Sequence, residues 1–212
     1  LELYIDVKTI RQKIQHSFRE KGSKFIGILC PTPTLSTFEE KLSNIKSSYP
    51  DATHHCYAWR LNPLKVEELA QDDGEPGGTA GLPILNQLKS YDIVNAACIV
   101  VRYYGGTKLG KSGLIQAYGK AAEICIEQSQ LTTLIPTENF EIRYPYDQQS
   151  SIEQLKNRFN LKEIDAEYME QITMKIACRR EQASDFLTAL QQLEHNGIRV
   201  EESGSSYLTM NS

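Results

Sequence analysis

An α+β protein of two domains is what the 212-residue sequence predicts. Three observations carry that expectation. Short apolar or alternating runs are interleaved with segments of helical periodicity along the whole chain. Near residue 131 the pattern changes, and from there on the segments read βαββαβ. Charge divides at the same place: residues 1–131 carry 15 Lys and Arg against 14 Asp and Glu, whereas residues 132–212 carry 8 against 13. The domains are therefore drawn as 1–131 and 132–212, and a nucleic-acid surface, if present, belongs to the first.

In the first domain Thr9 to Arg19 and Ser23 to Cys30 are strand-like, and Glu20-Lys21-Gly22 between them reads as a hairpin turn. A helix follows, with Ser36 and Glu39 in capping-box spacing and Phe38, Leu42, Ile45 and Tyr49 as its apolar stripe; Pro50 stops it. His54 to Leu61 alternates as a strand does, and the polar stretch Asn62 to Asp73 reads as a loop. Thr79 is placed to cap a helix that carries Pro83 in its first turn and Ile84, Leu85 and Leu88 on its inner face. Ala96 to Val101 has the continuous apolar character of a buried central strand. Ser112 is expected to cap a long helix through Leu114, Tyr118, Ala121, Ile124 and Cys125.

The second domain is predicted as a strand from Phe140 to Tyr146, a helix from Ser151 to Phe159, strands from Lys162 to Tyr168 and Gln171 to Cys178, a helix from Glu181 to His195, and a last strand from Ile198. That order is the ferredoxin-like arrangement, which hosts many unrelated functions.

With 40% hydrophobic and 24% charged residues the chain is neither disordered nor fibrous. Its longest apolar runs are far short of the ~20 residues that span a bilayer, and its start lacks a basic region followed by an apolar one, so no membrane association and a cytoplasmic location are expected. The five cysteines (Cys30, Cys56, Cys98, Cys125, Cys178) are odd in number, widely spaced and set in strands or helices, which suits reduced, buried thiols.

Two glycine-rich segments hold most of the functional signal. The second, Arg102-Tyr103-Tyr104-Gly105-Gly106-Thr107-Lys108-Leu109-Gly110-Lys111-Ser112-Gly113, ends a buried strand and opens a helix. Backbone N–H groups of the Gly105–Gly106 turn, the positive end of the helix near Ser112, and the charges of Arg102, Lys108 and Lys111 suit a phosphate, with Tyr103 or Tyr104 stacking on a base. The plainer reading puts one tyrosine in the core and the lysines in solvent. Walker spacing is lacking, which argues against nucleotide hydrolysis.

The first segment, Asp72-Asp73-Gly74-Glu75-Pro76-Gly77-Gly78-Thr79-Ala80-Gly81, is acidic. Asp72, Asp73 and Glu75 suit a hard cation such as Mg²⁺, a basic partner, or a solvated turn that caps the next helix. His54 and His55 are the nearby imidazoles, but neighbours on a strand face opposite ways, so one is expected inside and the other outside. The same alternation argues against His55 and Cys56 as a nucleophile pair. No catalytic residue and no cofactor is assigned, Mg²⁺ being the ion the acids would take.

Together with Asp51-Ala52-Thr53-His54-His55-Cys56-Tyr57-Ala58-Trp59-Arg60, Gly113-Leu114 and Ala117-Tyr118, these segments resemble the signature of the IMPACT family, also called YigZ-like. The resemblance covers roughly residues 15 to 130, and the second half is similar to the ferredoxin-like C-terminal domain of bacterial members. It implies a first domain like the second domain of ribosomal protein S5 and a second like a domain of elongation factor G. Eukaryotic relatives restrain a starvation-responsive kinase of translation initiation, leaning on an extra N-terminal domain for which this chain is expected to have no room. For bacterial members it implies binding to nucleic acid or the ribosome. The chain departs from the family pattern in having Ser112 and Gln116 where a glycine and an arginine are usual, which removes one bidentate phosphate donor.

The leading expectation is a non-enzymatic cytoplasmic protein that contacts RNA, the ribosome or a translation factor through Arg102, Tyr103, Tyr104, Gly105, Gly106, Lys108, Lys111 and Ser112. A metal-dependent hydrolase built on Asp72, Asp73, Glu75 and a histidine is the rival; a protein-interaction module with His54, His55, Asp72 to Glu75 and Gly77, Gly78 and Thr79 on its docking surface is the third. The hydrolase needs those side chains to converge around one open site.

Overall fold

The computed structural model describes residues 6–193 and 196–209. Contacts divide the chain into a unit of Val7–Thr133 and a second that contains the residues from Leu134 onward.

The first unit opens with β1 (Val7–Ile10), β2 (Ile14–Glu20) and β3 (Ser23–Pro31). The run Thr9 to Arg19, expected as one strand, breaks because Arg11, Gln12 and Lys13 are all exposed and offer the sheet no apolar side. The turn between β2 and β3 is Lys21-Gly22, with φ of 47° and 88°, the pair of left-handed residues that matches the twist of a two-residue hairpin. The cap of helix α1 (Leu35–Ser48) lies two residues before the expected one. Thr34 accepts the N–H of Thr37 at 3.2 Å, so Ser36 lies inside the first turn. The helix ends at Tyr49, ahead of Pro50.

Strand β4 (His54–Leu61) matches its prediction, but the expected loop holds β5 (Glu67–Gln71), an edge strand exposed at all five positions. Next come α2 (Gly81–Ser90), β6 (Ala96–Tyr103) and α3 (Gly110–Glu127). The sheet order is β2-β3-β6-β4-β5, antiparallel throughout. Alternation along the strands makes two cores. Phe25, Leu29, Cys56, Ala58, Cys98 and Val100 face α2 and α3, whereas Ile26, Ile28, Trp59, Ile99 and Val101 face Phe38 and Ile45 of α1. In β6, Ile99, Val100 and Val101 are fully buried, and each contributes about 1.5–3 kcal/mol.

The second unit has β7 (Leu131–Tyr144), α4 (Gln149–Arg158), β8 (Lys162–Tyr168), β9 (Ile172–Arg179), α5 (Ala183–Gln191) and β10 (Arg199–Leu208). The sheet order β10-β7-β9-β8 is ferredoxin-like. Ile152, Leu155, Phe186 and Leu190 of the helices pack on Phe140, Ile142, Met174 and Ile176. The 3-10 turns Tyr146–Gln148 and Arg180–Gln182 lead into α4 and α5. His195, the expected end of α5, lies outside the described residues. No helix among the described residues is long and apolar enough to cross a membrane. All five cysteines are free and buried.

Candidate functional site

The candidate residues of the first unit gather at one end of its sheet. Strand register places Phe25, Arg102 and His54 side by side on β3, β6 and β4, on the face covered by α2 and α3. Arg102 is therefore turned inward. It is 4% exposed and pairs with Glu75, itself buried, through Nη1 and Oε1. Its Nη2 donates to Ser23 Oγ at 3.2 Å, and its guanidinium lies 5.4 Å from the ring centroids of both Phe25 and Tyr104. Tyr118 of α3 donates to the same Glu75 oxygen at 2.7 Å, and His54 Nε2 stands 3.8 Å from it. The two glycine segments, opposite in sign, are thus joined beneath the surface by one ion pair. Arg102 is a strut of the fold and does not reach an external phosphate, contrary to the sequence expectation; a cation ending a buried strand must find its counter-ion inside.

The acidic residues are each committed separately. Asp72 accepts the N–H groups of Gly78 at 2.8 Å and of Ala80 and Gly81 at 2.9 Å, and so caps α2 from eight and nine residues away. Thr79, the expected cap, donates its hydroxyl to Pro76 O at 2.6 Å instead. Burial disfavours the Asp72 carboxylate, but the three N–H bonds outweigh it and hold its pKa below the ordinary value. Asp73 accepts the backbone N–H of His55 at 2.6 Å. His54 Nδ1 donates to Asp73 O at 2.8 Å and His55 Nε2 to Tyr49 O at 3.1 Å, on opposite faces of β4; His54 is half-buried and His55 buried. The convergence a metal-dependent hydrolase needs is not formed. Among the described residues no group of three or more His, Cys, Asp and Glu is placed to hold a metal. Cys56 beside this cluster is not poised as a nucleophile. Burial pushes the Cys56 thiol up to about 12, and it donates to Asp72 O at 2.9 Å. Burial, with Cys56 and Glu75 beside it, likewise pushes the Tyr118 phenol up.

The Gly105–Gly106 turn serves the chain itself. A Cβ on Gly105 would stand 2.6 Å from Gly22 O, and one on Gly106 2.5 Å from Lys21 O, because the β2–β3 hairpin turn lies directly against it. The N–H of Gly105 goes to Ser23 Oγ at 3.4 Å and that of Thr107 to Lys21 O at 3.1 Å. These two amides are spent on the hairpin and are not offered to an anion. Beyond the turn the picture is open. Tyr104 is 51% exposed, its hydroxyl donating to Gly106 O at 3.4 Å and its N–H to Thr53 Oγ1 at 3.0 Å. Lys108, Lys111 and Ser112 are exposed. Ser112 is not the cap of α3; the helix starts two residues earlier, after Leu109, with no side chain capping its first N–H groups. Tyr103 faces the α1 side and is half-buried. Gly77 and Gly78 are exposed, with nothing within 4 Å of an added Cβ.

The family model described as the Impact N-terminal domain matches residues 21–126, the span that contains this whole arrangement. The chain belongs to the IMPACT family. IMPACT family member YigZ of Escherichia coli (strain K12) is 31% identical over 182 residues, covering 85% of this chain and 89% of its own. IMPACT family member YvyE of Bacillus subtilis (strain 168) is 30% identical over 205 residues, covering 94% and 92%. A solved structure described as a hypothetical protein superposes with a TM-score of 0.68 at 27% identity, over 92% of this chain and 96% of that one. In this IMPACT chain the signature strings are the residues that build the Arg102–Glu75 junction and the Tyr104 loop. Sequence reading missed Ser23 and Tyr118 as members of the junction. The available signal was Arg102 itself, a charge closing an otherwise apolar run, which calls for an acid and further acceptors nearby.

Proposed function

We propose that this IMPACT protein is a non-catalytic, cytoplasmic, translation-associated binding protein that contacts RNA, free or on the ribosome, through the loop from Tyr104 to Ser112. Tyr104 carries the reading. Half its surface is exposed, yet its backbone is tied to Thr53 through the N–H, its hydroxyl bonds Gly106 O and the Arg102 guanidinium lies against the ring, so a base can stack on it with little ordering cost. Lys108 and Lys111 follow it on the same loop, exposed and without a carboxylate within 4 Å among the described residues. Uncapped N–H groups at the start of α3 add positive potential between them. The buried Cys56 thiol, Tyr118 phenol and Glu75 carboxylate and the half-buried Asp72 and Asp73, each committed to an internal bond, support binding over catalysis.

The test is binding of ribosomes and of labelled single-stranded and hairpin RNA across a salt series, beside the Lys108→Ala/Lys111→Ala variant. Loss of two phosphate contacts lowers the slope of log K against log salt on single strands by about 1.4. Equal affinity and equal slope in the variant would refute the assignment.

A further inference from the structure

On the other face of the sheet, the α1 side, β2, β3 and β6 bring Arg19, Lys24 and Tyr103 into one cross-strand row: Arg19 is paired with Lys24, and Lys24 with Tyr103. Two cations directly opposite each other repel and lower the stability of a strand pair. Two other strand cations of this unit are neutralised, Arg102 by Glu75 and Arg60 by Glu68 at 3.3 Å. Arg19 and Lys24 have no carboxylate within 4 Å among the described residues. Around them Tyr49, Tyr103 and Tyr104 wall an open cavity of about 340 Å³ with Ile26 at its side. That volume falls in the range of about 300–1,000 Å³ typical of small-ligand sites. An acidic segment would use the cations and leave three aromatic walls idle. A paired duplex would present phosphates but keep its bases stacked away from the tyrosines.

We infer that this cavity is a seat for one unpaired nucleotide of a single-stranded RNA, with the base against Tyr103 and Tyr104 and the flanking phosphates on Arg19 and Lys24. The inference rests on the RNA reading above and deepens it. Tyr104 belongs to both surfaces, so a strand leaving the cavity runs onto the Lys108–Lys111 loop. Arg102, buried on the opposite face, acts as a positioning residue by backing the Tyr104 ring.

The experiment measures fluorescence anisotropy of a labelled single-stranded RNA decamer, a blunt hairpin RNA and a poly-glutamate peptide, using the full chain and the variants Arg19→Gln/Lys24→Gln and Tyr104→Leu. Urea midpoints equal to wild type establish that the variants fold. Expected is preference for the decamer over the hairpin and at least a tenfold loss of decamer affinity in each variant. The salt slope should fall by about 1.4 in Arg19→Gln/Lys24→Gln and stay unchanged in Tyr104→Leu. Wild-type decamer binding that neither variant weakens overturns the cavity and leaves the RNA reading standing. No binding of either RNA or of ribosomes by the wild type overturns both. Poly-glutamate binding lost in Arg19→Gln/Lys24→Gln but kept in Tyr104→Leu, with no preference for the decamer, assigns the cations to an acidic protein instead.

Discussion

Replacing Glu75 by Ala tests whether the Arg102–Glu75 pair is the strut that joins the two glycine segments. Both side chains are 4% exposed, and Glu75 Oε1 serves Arg102 and Tyr118 together. Its removal leaves a buried guanidinium with Ser23 Oγ as its hydrogen-bond acceptor and with Nε already unpartnered. Breaking a buried ion pair from one side costs about 3–5 kcal/mol, and the stranded Tyr118 hydroxyl adds about 1 kcal/mol. That total is a large part of the roughly 5–15 kcal/mol that holds a folded protein together. Trp59, the one tryptophan of the sequence, is buried in the same unit, so its fluorescence during urea unfolding reports the change directly. With a slope of about 2 kcal/mol/M, the midpoint should fall by about 2–3 M. The double variant Glu75→Leu/Arg102→Met removes both charges and should recover most of the loss, because apolar replacement of a whole buried pair is often neutral. A Glu75→Ala midpoint within 0.5 M of wild type, taken as roughly 1 kcal/mol, or a double variant as unstable as the single, would refute the reasoning.

Two further predictions use the same fluorescence. Asp72→Asn keeps one acceptor for the start of α2 but loses the charge, and should cost about 1 kcal/mol at pH 7. The folded-state pKa of Asp72 is depressed, so its contribution is present above its unfolded value of about 3.9 and is lost as pH falls through the lower folded value; the gap between variant and wild type should close on that acid side. Gly105→Ala drives a Cβ to 2.6 Å from Gly22 O and should cost about 1–3 kcal/mol. Gly77→Ala meets no atom within 4 Å and should shift stability by no more than about 0.5 kcal/mol; equal effects of the two would show that the hairpin does not press on the Gly105–Gly106 turn.

Elements with a buried side were legible in the sequence, because burial writes a period. His54 to Leu61 alternates and is β4; Ala96 to Val101 is continuously apolar and is the middle of the sheet. β5 was not legible for the converse reason: all five of its residues are exposed and its strand character comes from hydrogen bonding to β4. None of the three expected caps, Ser36, Thr79 and Ser112, stands where the sequence placed it. Ser36 with Glu39 matched the capping-box spacing at α1, but Thr34, two residues earlier and in extended backbone, takes the cap. The cap of α2 comes from Asp72 across a folded loop, a pairing that no fixed spacing announces. Glycines were read as places where a ligand approaches the backbone. At Gly105 and Gly106 what approaches is the hairpin turn, and a sequence cannot tell one neighbour from the other.

The same end of the sheet poses one electrostatic problem twice and solves it once. Arg102 sits on the α2 and α3 face, where water is excluded and an unpaired charge would cost several kcal/mol, and the fold brings Glu75 to it across 27 positions of sequence. Arg19 and Lys24 sit on the α1 face, where solvent screens them and their repulsion is tolerable in the free protein. Neutralising them would have required only one nearby acid, yet the row continues into Tyr103 with none. Stability therefore accounts for the first cation and not for the other two. Their charges are available at no desolvation cost until a partner covers them, and at that moment an anion with an aromatic group gains both the ion pairs and the tyrosine walls.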